Sequence, residues 1–111
     1  MLELTTAQHT VAKAMREKEL SQLIFDAARK LGWLVARYPT WRPTGTVAGF
    51  PDLVLLRNGR LIFAELKSEK GEPIPAQQEW LDALREVATV YVWKPRNWLS
   101  GEIAEILGGD R

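Results

Sequence analysis

Asn58-Gly59 separates two apolar runs, 52–57 (DLVLLR) and 60–67 (RLIFAELK). Asn-Gly readily takes the positive φ angles of a two-residue type I′ turn, so the dipeptide predicts a tight antiparallel hairpin. Counting outward from that turn places Asp52 directly opposite Glu65. Facing Cβ atoms on antiparallel strands lie about 5 Å apart, where like charges repel. The same register puts Val54, Leu56, Leu61 and Phe63 on one face, and Leu53, Leu55, Ile62, Ala64 and Leu66 on the other. Both faces are apolar, so an interior sheet is expected. An acidic pair at the end of a buried hairpin is costly unless it is solvated, protonated or metal-bound.

A divalent cation held between the two carboxylates offsets that repulsion. The chain has no cysteine, and its one histidine, His9, lies near the N-terminus, so carboxylates are the available ligands. Oxygen ligands favour magnesium or manganese. Lys67 follows Glu65 by two residues and therefore shares its face of the strand. A cation there orients an attacking water or stabilises charge growing on a phosphate.

The remaining segments read as follows. With 111 residues, 46% of them hydrophobic, the chain suits one domain. Residues 1–14 are polar and mixed, which suggests a frayed arm or an extra helical turn, with the folded domain spanning 15–108. Leu20, Ile24, Ala27, Ala28 and Leu31 form the stripe of an amphipathic helix that Gly32 stops. On this helix Glu17 falls within ~40° of the stripe's centre, whereas Glu19 points away. Residues 33–38 (WLVARY) read as a strand. Residues 39–50 break all periodicity and form a loop long enough to suspect function.

Pro75 opens a second long helix to about Val87, with Trp80, Leu81, Leu84 and Ala88 inward. Gln77 shares that inward side, while Gln78 falls with Asp82 and Arg85. Residues 89–93 (TVYVW) make a fourth strand, and 98–107 a last helix with Leu99, Ile103, Ile106 and Leu107 at helical spacing. The predicted order is α-β-β-β-α-β-α, an α/β fold with a central mixed sheet flanked by helices.

Pro-Asp and E-x-K each occur by chance in many proteins; their conjunction with Glu17 and Gln77 is far more specific. REKEL with Gly32-Trp33, AGFPDLVLL, LIFAELKSEKG, PAQQEWLDAL and YVWKP together resemble the virus-type replication-repair nuclease (VRR-Nuc) domain. That domain is a branch of the PD-(D/E)xK superfamily, which has a restriction-endonuclease-like core and also includes Holliday-junction resolvases. The resemblance spans roughly Glu17 to Leu107. It implies a magnesium- or manganese-dependent deoxyribonuclease. Asp52, Glu65 and the Leu66 backbone carbonyl would be metal ligands, Lys67 the catalytic lysine, Glu17 the helical acid and Gln77 the helical glutamine. In the family a glutamine commonly follows that acid; here Ser21 stands at the aligned position, and Glu19 stays as the alternative.

The resemblance further implies DNA as partner, structured or branched rather than simple duplex, a homodimer, and a place in replication or repair. A net charge of +1 announces no nucleic-acid surface by itself, so such a surface must be local. Trp41 and Arg42 in the loop offer a stacking ring and a guanidinium. Arg37, Lys70, Lys94 and Arg96 are further candidate phosphate contacts. No stretch has the length of a signal peptide's apolar core or of a membrane span, so a cytoplasmic protein of a bacterial or phage-infected cell is expected. Two rivals remain: a silent DNA-binding or assembly subunit with the same fold, and a restriction-type endonuclease, which so short a chain disfavours.

Overall fold

The structure is a computed structural model that describes residues 3–38 and 47–109. Trp41 and Arg42 lie outside the described residues. The elements are α1 (Thr6–Ala14), α2 (Glu17–Lys30), β1 (Leu34–Arg37), β2 (Leu53–Arg57), β3 (Arg60–Leu66), α3 (Pro75–Arg85), β4 (Thr89–Trp93), α4 (Pro95–Leu99) and α5 (Glu102–Gly108). They build an α/β fold on a four-stranded mixed sheet of order β1-β2-β3-β4. The first three strands are antiparallel and β4 runs parallel to β3.

The hairpin has the register that Asn58-Gly59 requires. Leu53 pairs with Ala64 and Arg57 with Arg60, and both turn residues have positive φ, 49° and 77°. One sheet face carries the core. Leu53, Leu55, Ile62, Ala64 and Leu66 are at most 1% exposed, packed with Leu20, Ile24 and Ala28 of α2, Ile103 and Leu107 of α5, and Trp33 and Trp93. Burying each such leucine or isoleucine contributes about 1.5–3 kcal/mol before entropy is counted.

The other face differs from the expectation of a fully interior sheet. Phe50 bridges Tyr38, Phe63 and Trp80 through edge-on aromatic contacts, which covers the centre. Leu34, Leu56 and Leu61, toward the turn end, stay 70%, 43% and 39% exposed. The eleven-residue α3 is too short to cover them.

Two helices also depart from expectation. Thr5 and Gln8 close a capping box that starts α1, a nine-residue helix rather than an arm or an extra turn. It is docked by buried Ala12 and by a hydrogen bond from Gln8 to the Leu99 carbonyl. The expected last helix is two, α4 and α5, because the backbone at Gly101 turns to a φ of 86°. Leu31, expected inward, caps α2 and is 42% exposed. Among the described residues no helix is long and apolar enough to cross a membrane.

Gly49 fixes how the chain enters β2. Its φ is 88°, and a Cβ there would stand 2.4 Å from the Ala76 carbonyl oxygen at the start of α3. Neither the angle nor the space admits a side chain. We expect Gly49→Ala to lower stability by about 2–4 kcal/mol in urea denaturation. Gly59→Asn, where nothing lies within 4 Å, should change it by less than about 1 kcal/mol. Equal effects would contradict the packing described.

Candidate metal and phosphate site

Backbone pairing holds the site on three sides. The Tyr38 amide donates to the Asp52 carbonyl at 2.7 Å, so β1 extends its ladder to the residue before β2. The Lys67 amide donates to the Trp93 carbonyl at 3.0 Å, so β4 does the same for the residue after β3. Across the hairpin the Leu66 amide donates to Asp52 Oδ2 at 2.8 Å. Asp52 and Lys67 thus stand on the sheet's open end as firmly as residues inside it.

Asp52 is 4% exposed and Glu65 fully buried, yet among the described residues Asp52 Oδ1 and both carboxylate oxygens of Glu65 have no hydrogen-bond partner. Lys67 Nζ approaches Glu65 Oε2 to 3.6 Å, with its side chain 11% exposed. Burial raises the pKa of Asp52 to about 6, against the opposing pull of the Leu66 amide. Burial and the facing Asp52 charge raise that of Glu65 to about 8. A buried carboxylate normally finds donors for most of its lone pairs. Three unpaired oxygens in one place therefore fit a group not made of protein.

The helices contribute as the wheel geometry predicts. Glu17, first residue of α2, is half-buried, and its charge pushes up the pKa of both Asp52 and Glu65. Glu19 is exposed and spent on its own helix, accepting from the Arg16 backbone amide at 2.9 Å and pairing with the Arg16 side chain at 3.4 Å. Gln77 is 5% exposed; its Oε1 accepts from the Ile74 amide at 2.9 Å, which fixes it at the head of α3. Gln78 is exposed and bonds Asp82.

The basic candidates divide. Arg37 lies with its guanidinium 4.0 Å from the Phe25 ring centroid and donates to Gln22. Lys70 is exposed. Lys94 pairs with Glu72 at 2.7 Å, and Arg96 with the buried Glu69 at 2.8 Å, so both cations have partners. His9 is exposed on α1. Gly49 stands in the AGFPDLVLL motif, but its packing role is not legible there, because its need for glycine arises from contact with residues 27 and 28 positions further on.

No protein-family model matches the sequence, and no curated protein sequence matches it significantly. A solved structure described as a VRR_NUC domain superposes over 86% of this chain and 97% of its own, with a TM-score of 0.65 at 22% sequence identity. The fold is that of a VRR_NUC domain. The likeness is one of fold; the chemistry of the site rests on its own side chains.

Those side chains suit a hard cation. Among the described residues no three or more histidine, cysteine or acidic side chains gather as a ligand set. Magnesium, however, is commonly held by one or two carboxylates with waters and phosphate oxygens completing the octahedron. Asp52 and Glu65 supply those two, and their unpaired oxygens supply the lone pairs.

Both raised pKa values make the folded chain hold protons that the unfolded chain releases. In chelator, stability should therefore be highest below about pH 4 from this source and fall as pH rises toward 8. Glu65→Gln removes most of that slope, so its melting temperature should exceed the wild type's at pH 8 and lose the advantage at pH 4. Parallel melting curves across that range would show that the pair carries no buried charge.

Proposed function

We propose that the chain is a metal-dependent nuclease that hydrolyses DNA phosphodiester bonds. The observation that carries this is the trio of unpartnered carboxylate oxygens on Asp52 and Glu65 beside Lys67, at the open end of a VRR_NUC-like sheet. A magnesium or manganese ion bound by Asp52, Glu65 and the Leu66 backbone carbonyl would supply Lewis acidity toward the phosphate and lower the pKa of an attacking water.

The chain's own groups do the rest. Lys67 brings positive charge to the wall of the site, where it orients the attacking water and stabilises charge on the phosphate oxygens. Glu17, at the mouth, accepts hydrogen bonds from waters that the two buried carboxylates cannot reach. Gln77 has committed its carbonyl oxygen to Ile74, which leaves its amide group free to donate to a phosphate oxygen. Arg37, steadied on Phe25, and exposed Lys70 are suited to contact phosphates of the same strand.

The finer assignments rest on the sequence resemblance. They are structured or branched DNA as substrate, a homodimer, a role in replication or repair, and a cytoplasmic site of action in a bacterial or phage-infected cell. The exposed Leu34, Leu56 and Leu61 would be one apolar surface for a second copy.

The direct test offers labelled single-stranded, duplex, flap and four-way-junction DNA with magnesium, manganese or chelator. Cutting should require metal, favour the branched forms and fall about 100- to 1,000-fold in Lys67→Ala. Metal-dependent binding with no cutting of any substrate would turn the assignment to a silent DNA-binding subunit.

A further inference from the structure

At the elbow where α1 passes into α2 lies a pocket of about 550 Å³. Its lining includes Lys13, Met15, Arg16, Glu17, Lys18 and Ser68. Two of these tie it to the site: Glu17 is the acid whose charge reaches Asp52 and Glu65, and Ser68 directly follows Lys67. The pocket therefore begins where the phosphate site ends.

Its lining suits a polyanion that carries an apolar ring. Three cations face one carboxylate, so the lining is net positive although the chain as a whole is nearly neutral. Arg16 leans on Glu19, but among the described residues Lys13 and Lys18 have no acidic partner and both are exposed. Lys94 and Arg96, by contrast, are paired with Glu72 and Glu69. Met15, half-buried against the core, gives the pocket an apolar floor. The Ser68 hydroxyl makes no hydrogen bond among the described residues, and the Ser68–Gly71 turn fixes its backbone. Docking of α1 on α4 through Ala12 and Gln8 holds the elbow in place, so the pocket is formed before any ligand arrives.

We infer that the α1–α2 elbow is a nucleotide subsite: Lys13 and Lys18 hold the phosphate neighbouring the scissile one along the strand, Met15 underlies its sugar or base, and Ser68 hydrogen-bonds between the two phosphates. This builds on the proposed nuclease activity and adds where the uncut part of the strand lies. It gives α1 a role in choosing substrate.

The test uses the full chain, isotope-labelled, in chelator, titrated with thymidine 3′,5′-bisphosphate while amide resonances are followed. Shifts should concentrate at residues 13–18 and at Ser68. The double variant Lys13→Ala/Lys18→Ala should weaken binding roughly tenfold, and Lys13→Arg/Lys18→Arg should restore it. For a short DNA duplex, the double alanine variant should lower the slope of log affinity against log salt by about 1, for the single phosphate that the two lysines share. Both lysines are exposed, and an unchanged circular dichroism spectrum verifies the variants' fold. Shifts centred elsewhere, or equal affinity in the double alanine variant, would overturn the subsite. Because the titration needs no catalysis, that failure is separate from failure of the nuclease assignment, which shows as no cleavage by the wild type.

Discussion

The pairing of Asp52 with Glu65 across a tight hairpin is the constraint around which the molecule is arranged. A two-residue turn leaves no slack in register, since a slip by one residue would send every core side chain of the strand to the opposite face. The inner face, with Leu53, Leu55, Ile62, Ala64 and Leu66 all buried, pins that register energetically. The acidic pair cannot slide out of opposition without unpacking the core, so its repulsion is built into the fold.

Both ends of this hairpin carry like charges face to face, and the two ends are treated differently. At the turn end Arg57 pairs with Arg60. Arg57 donates to the Leu31 and Gly109 carbonyls and Arg60 to the Ile106 carbonyl, and both guanidiniums lie near the Trp33 ring. Those cations thus close the C-terminal ends of α2 and α5, where carbonyls want donors. At the open end, among the described residues, the counterparts are one backbone amide and Lys67 at 3.6 Å, and three carboxylate oxygens have no hydrogen bond. The half-buried pair of Arg57 and Arg60 is met by the protein's own carbonyls, although Arg57 Nε keeps no partner among the described residues. Asp52 and Glu65 receive no comparable set of donors among the described residues, which is the ground for the cation proposed there.

What could be read from the sequence was what short-range rules decide. Asn58-Gly59 sets the register locally, so the facing carboxylates followed from counting. A helical wheel separates Glu17 from Glu19 and Gln77 from Gln78 because each helix has one dominant apolar stripe. The errors came from longer range, with one exception. The Thr5–Gln8 capping box is itself a local signal and was passed over, which hid α1. Gly101 sits in an apparently continuous stripe, and only the packing of α4 and α5 shows the break. The partial exposure of Leu56 and Leu61 depends on how far α3 reaches. The neutralisation of Lys94 and Arg96 depends on acids 22 and 27 residues away in sequence.

The most direct measurement is the stoichiometry of Mn²⁺ binding, followed by the paramagnetic resonance of free manganese at neutral pH, for wild type, Asp52→Asn and Glu65→Gln. Saturable binding by the wild type, abolished or weakened at least about tenfold in each variant, is the result that two ligating carboxylates require. Wild-type protein that leaves manganese free at millimolar concentration, or variants that bind it as well as the wild type, would contradict the account.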